Sequence, residues 1–179
     1  EMQEFSSTAI FDSVEKNCHN SIKHIKNSIE SIEVKIMELI KNDKDLHEMY
    51  TRLESIQGVG PVTSVAFIVE TNEFKDFSNG KKLACHSGVA PFSYSSGKRK
   101  GKAHVSHKAN KKLKTLLDLC ARSAVLVKGE FQDYYRRKIA EGKSKLLVRN
   151  NIRNKIVLRM FAVVQNKTMY EKKFNTSLG

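Results

Sequence analysis

The segment 88–102 places hydroxyl groups directly before a cluster of positive charge. It contains Ser93, Ser95 and Ser96, then Gly97, and then Lys98, Arg99, Lys100 and Lys102. Such cations can hold a phosphodiester, and a serine hydroxyl can attack its phosphorus to form a covalent link that preserves the bond energy for rejoining. A serine before a glycine is equally typical of an ordinary turn. The pattern predicts contact with a nucleic-acid backbone and leaves nucleophilic and turn-forming serines as alternatives.

An attacking serine needs a group that accepts its proton, and few candidates lie nearby in the sequence. Residues 77–117 contain no Asp or Glu, and His104 and His107 are the local bases. Exposed histidines that contact phosphate or solvent would explain those two residues as well. The residues alone therefore leave the general base unassigned.

A second segment, 53–66, predicts binding of a phosphate backbone through main-chain amides. Gly58, Val59 and Gly60 separate two apolar stretches, as in a helix-hairpin-helix, and Pro61 suits the first turn of the following helix. The glycines allow a tight turn and bring N–H groups close to a phosphate, while the helix N-terminus adds free donors and its dipole. A plain turn between two helices would use the same glycines.

Positive charge is concentrated in the second half of the chain. The 179 residues have a formal net charge of +13. From Lys98 onward, 22 Lys and Arg stand against 5 Asp and Glu, whereas residues 1–97 hold 10 against 14. This separation indicates a directed electrostatic surface for nucleic acid, which Lys108, Lys111 and Lys112 are expected to extend.

The first long element is a predicted helix from Phe11 to Asn42, a stretch without Gly or Pro. Apolar residues at alternate spacings of three and four form a heptad seam within it. The seam consists of Ile22, Ile25, Ile29, Ile32, Ile36 and Leu39. So narrow a stripe predicts a coiled coil, in a hairpin or between chains, and hence a homo-oligomer; a helix packed on its own domain is the alternative.

The remaining elements that position the candidate residues are also predicted to be helical, so the fold class is all-α. Helices are expected at about 45–55, from Pro61, at about 80–86, and at 107–127, 130–140 and 144–165, with an irregular stretch or short hairpin over 87–106. Val62, Val69 and Leu147 are expected to face inward. The predicted organisation is a coiled-coil helix or linker at 1–44, a helical domain with the helix-hairpin-helix at 45–166 and a frayed tail at 167–179.

Cysteine usage and hydropathy exclude several other classes. Cys18, Cys85 and Cys120 are too few and too widely spaced for a disulfide framework or a zinc site, which indicates a reducing, cytoplasmic compartment. No apolar run approaches the roughly 18 residues of a membrane span, and no signal peptide opens the chain. Glu1 is not an initiating methionine, so the chain is expected to be part of a longer protein.

Between residue 53 and about residue 165, the chain contains a series of short motifs. They are Ile56-Gln57-Gly58-Val59-Gly60-Pro61-Val62-Thr63, Phe77-Ser78-x-x-Lys81-Lys82-Leu83-Ala84, Gly88-Val89-Ala90-Pro91, Ser96-Gly97-Lys98, Val105-Ser106-x-Lys108-x-Asn110-x-x-Leu113, Tyr134-Tyr135 and Gly142-Lys143-Ser144. In order and spacing this part of the chain resembles the C-terminal domain of DEDD-type insertion-sequence transposases. These are bridge-RNA-guided recombinases related to the Piv-type DNA invertases, and family members carry a coiled coil before this domain.

The resemblance implies a bacterial, nucleoid-associated recombinase in which the serine of a Ser-Gly pair attacks DNA. Ser96 is the match, because it lies five residues after Pro91 and directly before Gly97; Ser93 and Ser95 do not match. The family's N-terminal RuvC-like domain, with four acidic metal ligands, has no counterpart in this sequence. No metal ligand is therefore assigned here, and the base and Mg²⁺ would come from that absent domain. Ala109, where the family often has glycine, is a departure.

The leading hypothesis is a DNA-binding C-terminal domain of a transposase or site-specific recombinase, with Ser96 as nucleophile. The expected DNA-binding residues are Gly58, Val59, Gly60, Lys98, Arg99, Lys100, Lys102, Lys108, Lys111 and Lys112. A guide RNA is a further candidate partner. Binding to a membrane is not expected. The alternative is a non-catalytic DNA- or RNA-binding and oligomerisation module. A tyrosine recombinase using Tyr134 or Tyr135 lacks the surrounding Arg and His constellation.

Overall fold

The computed structural model describes residues 2–90, 95–96, 99–100 and 108–171, with side chains described for 10–90 and 108–171. These residues form seven α-helices and one pair of two-residue strands. The helices are α1 (Met2–Asn42), α2 (Lys44–Glu54), α3 (Pro61–Glu70), α4 (Gly80–His86), α5 (Lys111–Leu126), α6 (Glu130–Ala140) and α7 (Lys145–Gln165); the strands are β1 (Ser95–Ser96) and β2 (Arg99–Lys100). The predicted all-α class is confirmed, and the strands are the short hairpin foreseen within 87–106.

Contacts divide the chain into two compact units, Glu1–His47 and Glu48–Gly179. The first consists almost entirely of α1, whose 41 residues extend over about 60 Å. The long helix is thus confirmed. Along the predicted seam, Ile22, Ile25, Ile29 and Ile32 each leave about half of their surface exposed, between 49% and 57%. The coiled coil itself stays a prediction.

The second unit is built around the packing of α5 against α7. Helices α3 and α6 also pack on α5, while α4 and α6 pack on α7. Burying each large apolar side chain contributes about 1.5–3 kcal/mol relative to leaving it exposed. The core side chains include Leu53, Ile56, Phe67, Phe74, Leu83, Leu113, Leu117, Phe131, Ile152, Ile156 and Met160.

Side-chain caps determine where three of the helices begin. Asn79 accepts a hydrogen bond from the Lys82 N–H (2.9 Å) at the start of α4. Ser144 accepts one from the Leu147 N–H (3.3 Å) at the start of α7. The start predicted for α5, at residue 107, was wrong, because Asn110 caps that helix and the regular hydrogen bonding begins with Lys111.

The face that α3 buries differs from the expected one. Val62 and Val69 are 64% and 72% exposed, whereas Thr63 and Ser64 are buried. The helix is apolar on most of its circumference, so hydrophobic periodicity does not select a face. The buried residues of α3 are Thr63, Ser64, Ala66, Phe67 and Ile68, so two large side chains lie inside together with three small ones. Leu147, also expected inside, lies in the first turn of α7 and is 49% exposed.

The end of the described chain packs back on the second unit. The Tyr170 N–H donates to Ser55 Oγ (2.8 Å), and the Tyr170 hydroxyl donates to Glu130. Arg159 pairs with the same carboxylate and lies over the Tyr170 ring, 5.5 Å from its centroid. These contacts fall within the segment predicted as a frayed tail from Lys167; residues 172–179 lie outside the described residues.

Candidate nucleic-acid interface

The candidate nucleophile lies in the short antiparallel hairpin. Ser96 in β1 is the register partner of Arg99 in β2, and Ser95 is the partner of Lys100. The backbone thus pairs each of these serine positions with a cationic residue. Other predicted members of the site lie outside the described residues: Lys98, Lys102, His104 and His107. The roles of Ser96 and of these cations stay predictions.

We use the name Ser96 loop for residues 89–110, and its two ends meet at the C-terminus of α4. Gly88 adopts a positive φ (68°) that ends α4, and the Val89 N–H then donates to Ala84 O (3.0 Å). At the other end, the Asn110 N–H donates to His86 O (2.8 Å). The loop therefore leaves and rejoins the fold at one place.

Asn110 fixes the second end of the Ser96 loop with its side chain as well. Its Oδ1 accepts from the Leu113 N–H (3.1 Å) as the α5 cap, and its Nδ2 donates to Glu70 Oε2 on α3 (2.8 Å). Lys112 Nζ lies 3.3 Å from the other Glu70 oxygen. The Asn110 of the sequence motif thus joins α3, α4 and α5 at the base of the loop.

Three of the predicted DNA-binding lysines flank that base. Lys108, Lys111 and Lys112 are exposed in the described structure. Lys111 and Lys112 directly follow the Asn110 cap, so they lie at the N-terminus of α5, where the helix dipole adds to their positive charge. Together they form a cationic surface next to the loop that carries Ser96.

The two glycines of the 58–60 turn face different surroundings. Gly58 has φ +88°, and a Cβ on it would lie 2.5 Å from Cys120 O and 2.8 Å from Ala124 Cβ. Its lack of a side chain is therefore required for packing against α5. A Cβ on Gly60 would meet nothing within 4 Å, so this face of the turn is open.

Main-chain donors at the turn are partly occupied within the fold. The Val59 N–H donates to Ile56 O (3.0 Å), and the Gly60 backbone hydrogen-bonds the Cys120 thiol. Because Pro61 has no N–H, the amides without a helical acceptor at the start of α3 are those of Val62 and Thr63. An anion approaching this turn would meet the open face of Gly60 and these two amides.

Gln57, which precedes the turn, ties it to the end of α5. Its Nε2 donates to Ala124 O (3.0 Å) and to Val127 O (2.7 Å). A Cβ on Gly129 would lie 2.4 Å from Gln57 Oε1, so the glycine leaves room for the amide. The Ile56-Gln57-Gly58 motif therefore holds the α2–α3 turn against α5.

The cysteines are free thiols in varied surroundings: Cys18 is exposed, Cys85 half-buried and Cys120 buried. Burial raises the pKa of Cys120, partly offset by the Thr63 hydroxyl 3.3 Å away and by the Gly60 backbone. Burial also raises the pKa of Cys85. Both thiols stay protonated at neutral pH and are poor nucleophiles. The described residues contain no group of three or more His, Cys, Asp or Glu that could hold a metal ion.

Tyr134 lies between the side chains of α6 and α7. Its hydroxyl accepts from Asn151 Nδ2 (3.4 Å), while Lys155 Nζ and Arg137 Cζ lie 4.8 and 5.8 Å from its ring centroid. Cation–π contacts of this kind stabilise the packing of the two helices. They account for the Tyr134 of the motif without a chemical role.

A group of charged residues between α5 and α7 was not predicted from the sequence. Asp118 forms an ion pair with Arg153, and Arg122 Nη2 lies 2.8 Å from its other oxygen. Burial is the strongest influence on the Asp118 carboxyl and acts to raise its pKa; Arg153, Arg122 and Arg149 together outweigh it and hold the pKa below its ordinary value. The i, i+4 spacing of residues 118 and 122, and of 149 and 153, is a signal that could have revealed these two rows.

None of the described helices is long and apolar enough to cross a bilayer. Residues 50–136, which include the glycine turn and the whole Ser96 loop, match the family described as "Transposase IS116/IS110/IS902 family". The resemblance to insertion-sequence transposases is thereby confirmed, while bridge RNA and serine chemistry stay predictions.

Three curated relatives illustrate the similarity. An uncharacterized 44.8 kDa protein of insertion element IS116 from Streptomyces clavuligerus is 27% identical over 72% of this chain and 34% of its own length. The pilin gene-inverting protein of Moraxella bovis is 26% identical over 87% and 49%. The transposase for insertion sequence element IS1328 of Yersinia enterocolitica is 24% identical over 86% and 46%. The chain thus spans between a third and a half of the length of these relatives.

Proposed function

We propose that this chain is the DNA-binding C-terminal part of a transposase or site-specific recombinase, because residues 50–136 match the transposase family described as IS116/IS110/IS902. Ser96 is its nucleophile for strand cleavage and rejoining. The observation that supports this most directly is the Ser96 loop, which is anchored at both ends by Val89 and Asn110 and flanked by exposed lysines. The proposed reaction requires the loop to present one hydroxyl to a bound strand repeatedly in the same position.

The proposed reaction is a transesterification at phosphorus. Ser96 Oγ forms a bond to the phosphorus of a phosphodiester, and the bond from phosphorus to one deoxyribose oxygen breaks. The serine proton passes to a general base, and the departing oxygen takes up a proton to become a hydroxyl. A hydroxyl of another strand end then attacks the phosphoserine, restores a phosphodiester and releases Ser96, so no outside energy source is needed.

The cations of the loop stabilise the negative charge that builds up on the phosphate oxygens during this attack. They are Lys98, Arg99, Lys100 and Lys102. We assign the base and the Mg²⁺ to a separate RuvC-like domain of a longer protein, as the resemblance to DEDD-type transposases implies.

DNA positioning is the second part of the proposal. In a helix-hairpin-helix arrangement of α2 and α3, the open face of Gly60 and the free amides at the start of α3 contact one backbone phosphate. Lys108, Lys111 and Lys112 contact others. Such contacts fix the position of the duplex without reading its sequence. A guide RNA is included among the candidate partners because its phosphates suit the same cations.

The test is the substitution Ser96→Ala in the full-length transposase, with Ser95→Ala as the matched neighbour. We expect Ser96→Ala to abolish cleavage and the phosphoserine adduct seen by mass spectrometry, lowering the rate by about 10³-fold or more. Ser95→Ala should retain both, and both variants should bind DNA like the parent protein.

The alternative is a non-catalytic nucleic-acid-binding and oligomerisation module, favoured by the exposed α1 seam, which needs a partner whether or not Ser96 reacts. Undiminished cleavage by Ser96→Ala would eliminate the nucleophile and leave this alternative. Under the leading proposal the 179-residue chain alone binds DNA but exchanges strands poorly; efficient strand exchange by the chain alone would refute the assignment of the base to another domain.

A further inference from the structure

Three arginines converge on one carboxylate where α5 packs against α7. Asp118 and Arg122 lie one turn apart on α5, and Arg149 and Arg153 lie one turn apart on α7. Arg153 and Arg122 contact the two carboxylate oxygens of Asp118, and Arg149 acts on the same carboxyl electrostatically. The group, which we name the Asp118 cluster, therefore carries two positive charges in excess.

The Asp118 cluster also contains donors that the fold leaves unused. The Nε–H groups of Arg149 and Arg153 are buried and have no acceptor among the described residues. The Arg153 side chain is only 10% exposed. A buried N–H of a charged group without an acceptor is costly, so an ion-pair network that served packing alone would be expected to satisfy it.

A half-buried arginine of the same unit provides the comparison. Arg159 faces Glu130, whose carboxylate also accepts the Tyr170 hydroxyl, so one cation meets one anion. The Arg159 guanidinium lies over the rings of Phe131 and Tyr170 at 4.8 and 5.5 Å. The Asp118 cluster differs from the Arg159–Glu130 pair in two ways: it carries excess positive charge, and two of its N–H donors have no acceptor among the described residues.

The position of the Asp118 cluster relates it to the Ser96 loop. Asn150, next to Arg149 on α7, donates through Nδ2 to Val89 O (3.3 Å), the first residue of that loop. On a helix, residues 149, 150 and 153 lie within about 100° of one another around the axis. The arginines of α7 thus lie on the side of the helix that holds the start of the loop.

We propose that Arg122, Arg149 and Arg153 bind a backbone phosphate of a nucleic-acid strand, and that Asp118 holds their guanidinium groups in position before the strand arrives. The inference rests on the proposed function, since the phosphate belongs to the strand that the Ser96 loop contacts. The phosphate neutralises part of the excess charge, and its oxygens accept from the unused donors. Arginine suits this role because its planar fork matches a phosphate in two hydrogen bonds.

The three arginines of the proposed site differ in how exposed their side chains are. Arg122 is 57% exposed at its side chain and forms the accessible side where a phosphate arrives. Arg153 is buried and forms the floor, fixed by its ion pair with Asp118. Arg149, in the first turns of α7, is half-buried, so it is less exposed than Arg122 and more exposed than Arg153.

The experiment measures DNA binding by the 179-residue chain with fluorescence anisotropy over a series of salt concentrations. The variants are Arg122→Gln and Arg149→Gln, with Arg136→Gln as the matched control. Arg136 is exposed on α6 and is not part of the ion pairs found in the described structure. Each cluster variant should make the log–log salt slope shallower by about 0.9 and weaken binding at moderate salt by about tenfold.

The control variant should shift the slope and the affinity by less than half as much. Binding by Arg122→Gln and Arg149→Gln that equals binding by Arg136→Gln would refute the phosphate site while leaving the proposed function intact. No measurable DNA binding by the parent chain would instead refute the proposed function. Parallel titrations with single-stranded DNA and RNA show which strand supplies the phosphate, and an equal loss for all probes indicates a general phosphodiester site.

Thermal unfolding with inorganic phosphate gives an independent measure. Phosphate should raise the melting temperature of the parent chain above its value in chloride of equal ionic strength, and Arg122→Gln should lose that increase. Because Arg122 is on the surface, this variant should fold. An equal increase for Arg122→Gln and the parent chain would show that the Asp118 cluster is a structural ion-pair network.

Discussion

Gly58 and Gly60 show how two similar residues serve different purposes within one turn. Gly58 has a positive φ and lies against the backbone of Cys120, where no side chain fits. Gly60 has an extended backbone (φ −119°, ψ −179°) and an open side as the residue before α3. Packing therefore depends on the first glycine, and any approach of a phosphate depends on the second.

Replacing each glycine by alanine should separate stability from binding. Gly58→Ala combines an unfavourable φ with a clash against α5 and should lower the free energy of unfolding by about 3 kcal/mol. Gly60→Ala should cost about 1 kcal/mol or less, because it exchanges only the residue that caps α3. Urea unfolding followed by circular dichroism measures both.

The Gly60→Ala variant should also differ from the parent chain in its affinity for DNA. The methyl group of Gly60→Ala projects into the space that a phosphate would occupy, so binding should weaken about three- to tenfold, the loss of roughly one hydrogen bond. Equal affinity for Gly60→Ala and the parent chain would contradict phosphate contact at this turn. Equal stability for the two alanine variants would contradict the packing role of Gly58.

At the scale of elements, α1 is the helix whose apolar surface is least buried. Its seam of isoleucines is half exposed in the single chain, whereas α5 and α7 bury theirs against each other. Exposed apolar stripes of this regularity are typical of helices that associate. We therefore expect that a partner buries the seam.

Charged substitutions in the seam should therefore dissociate the protein. Ile29→Glu combined with Ile32→Glu places like charges where two seams would meet, and light scattering should then give the mass of one chain. Val34→Glu is the control, because Val34 is as exposed as Ile32 (57%) but lies outside the heptad positions. An unchanged oligomer in the double variant would exclude the seam as the interface.

At the scale of the whole molecule, positive charge is unevenly distributed along the chain. The second half of the chain holds 22 of the 32 Lys and Arg, and the first half has more acidic than basic residues. Under the proposed function, a DNA duplex would therefore be attracted to one part of the protein and oriented before contact. The cationic surface beside the Ser96 loop lies in that part.

Binding of the 179-residue chain to duplex DNA should accordingly depend steeply on salt. If the four cations after Gly97 each neutralise one phosphate, the log–log slope is about −3.6, and the Asp118 cluster makes it steeper. Anisotropy titrations from low to moderate salt measure the slope. A flat response would contradict a role in holding the phosphate backbone, since apolar or base-stacking contacts release few counterions.

Local signals in the sequence were sufficient for most helix boundaries. The prediction of about 130–140 coincides with α6, and the prediction of about 144–165 differs from α7 by one residue at its start. Glycine, proline and capping residues act on their immediate neighbours, so their effect can be read without knowing the fold. The basic second half and the motifs of the transposase family were visible for the same reason.

Tertiary structure alone decided which residues hold the candidate site together. Hydrogen bonds from Gln57 to Val127 and from Asn110 to Glu70 join positions 70 and 40 residues apart, and no local pattern predicts them. The buried face of α3 was wrongly predicted. Most of this helix is apolar, so the spacing of its apolar residues does not show which side is buried. The Asp118 cluster exists only because α5 packs on α7, which brings two ordinary i, i+4 rows of charge together and excludes water from their donors.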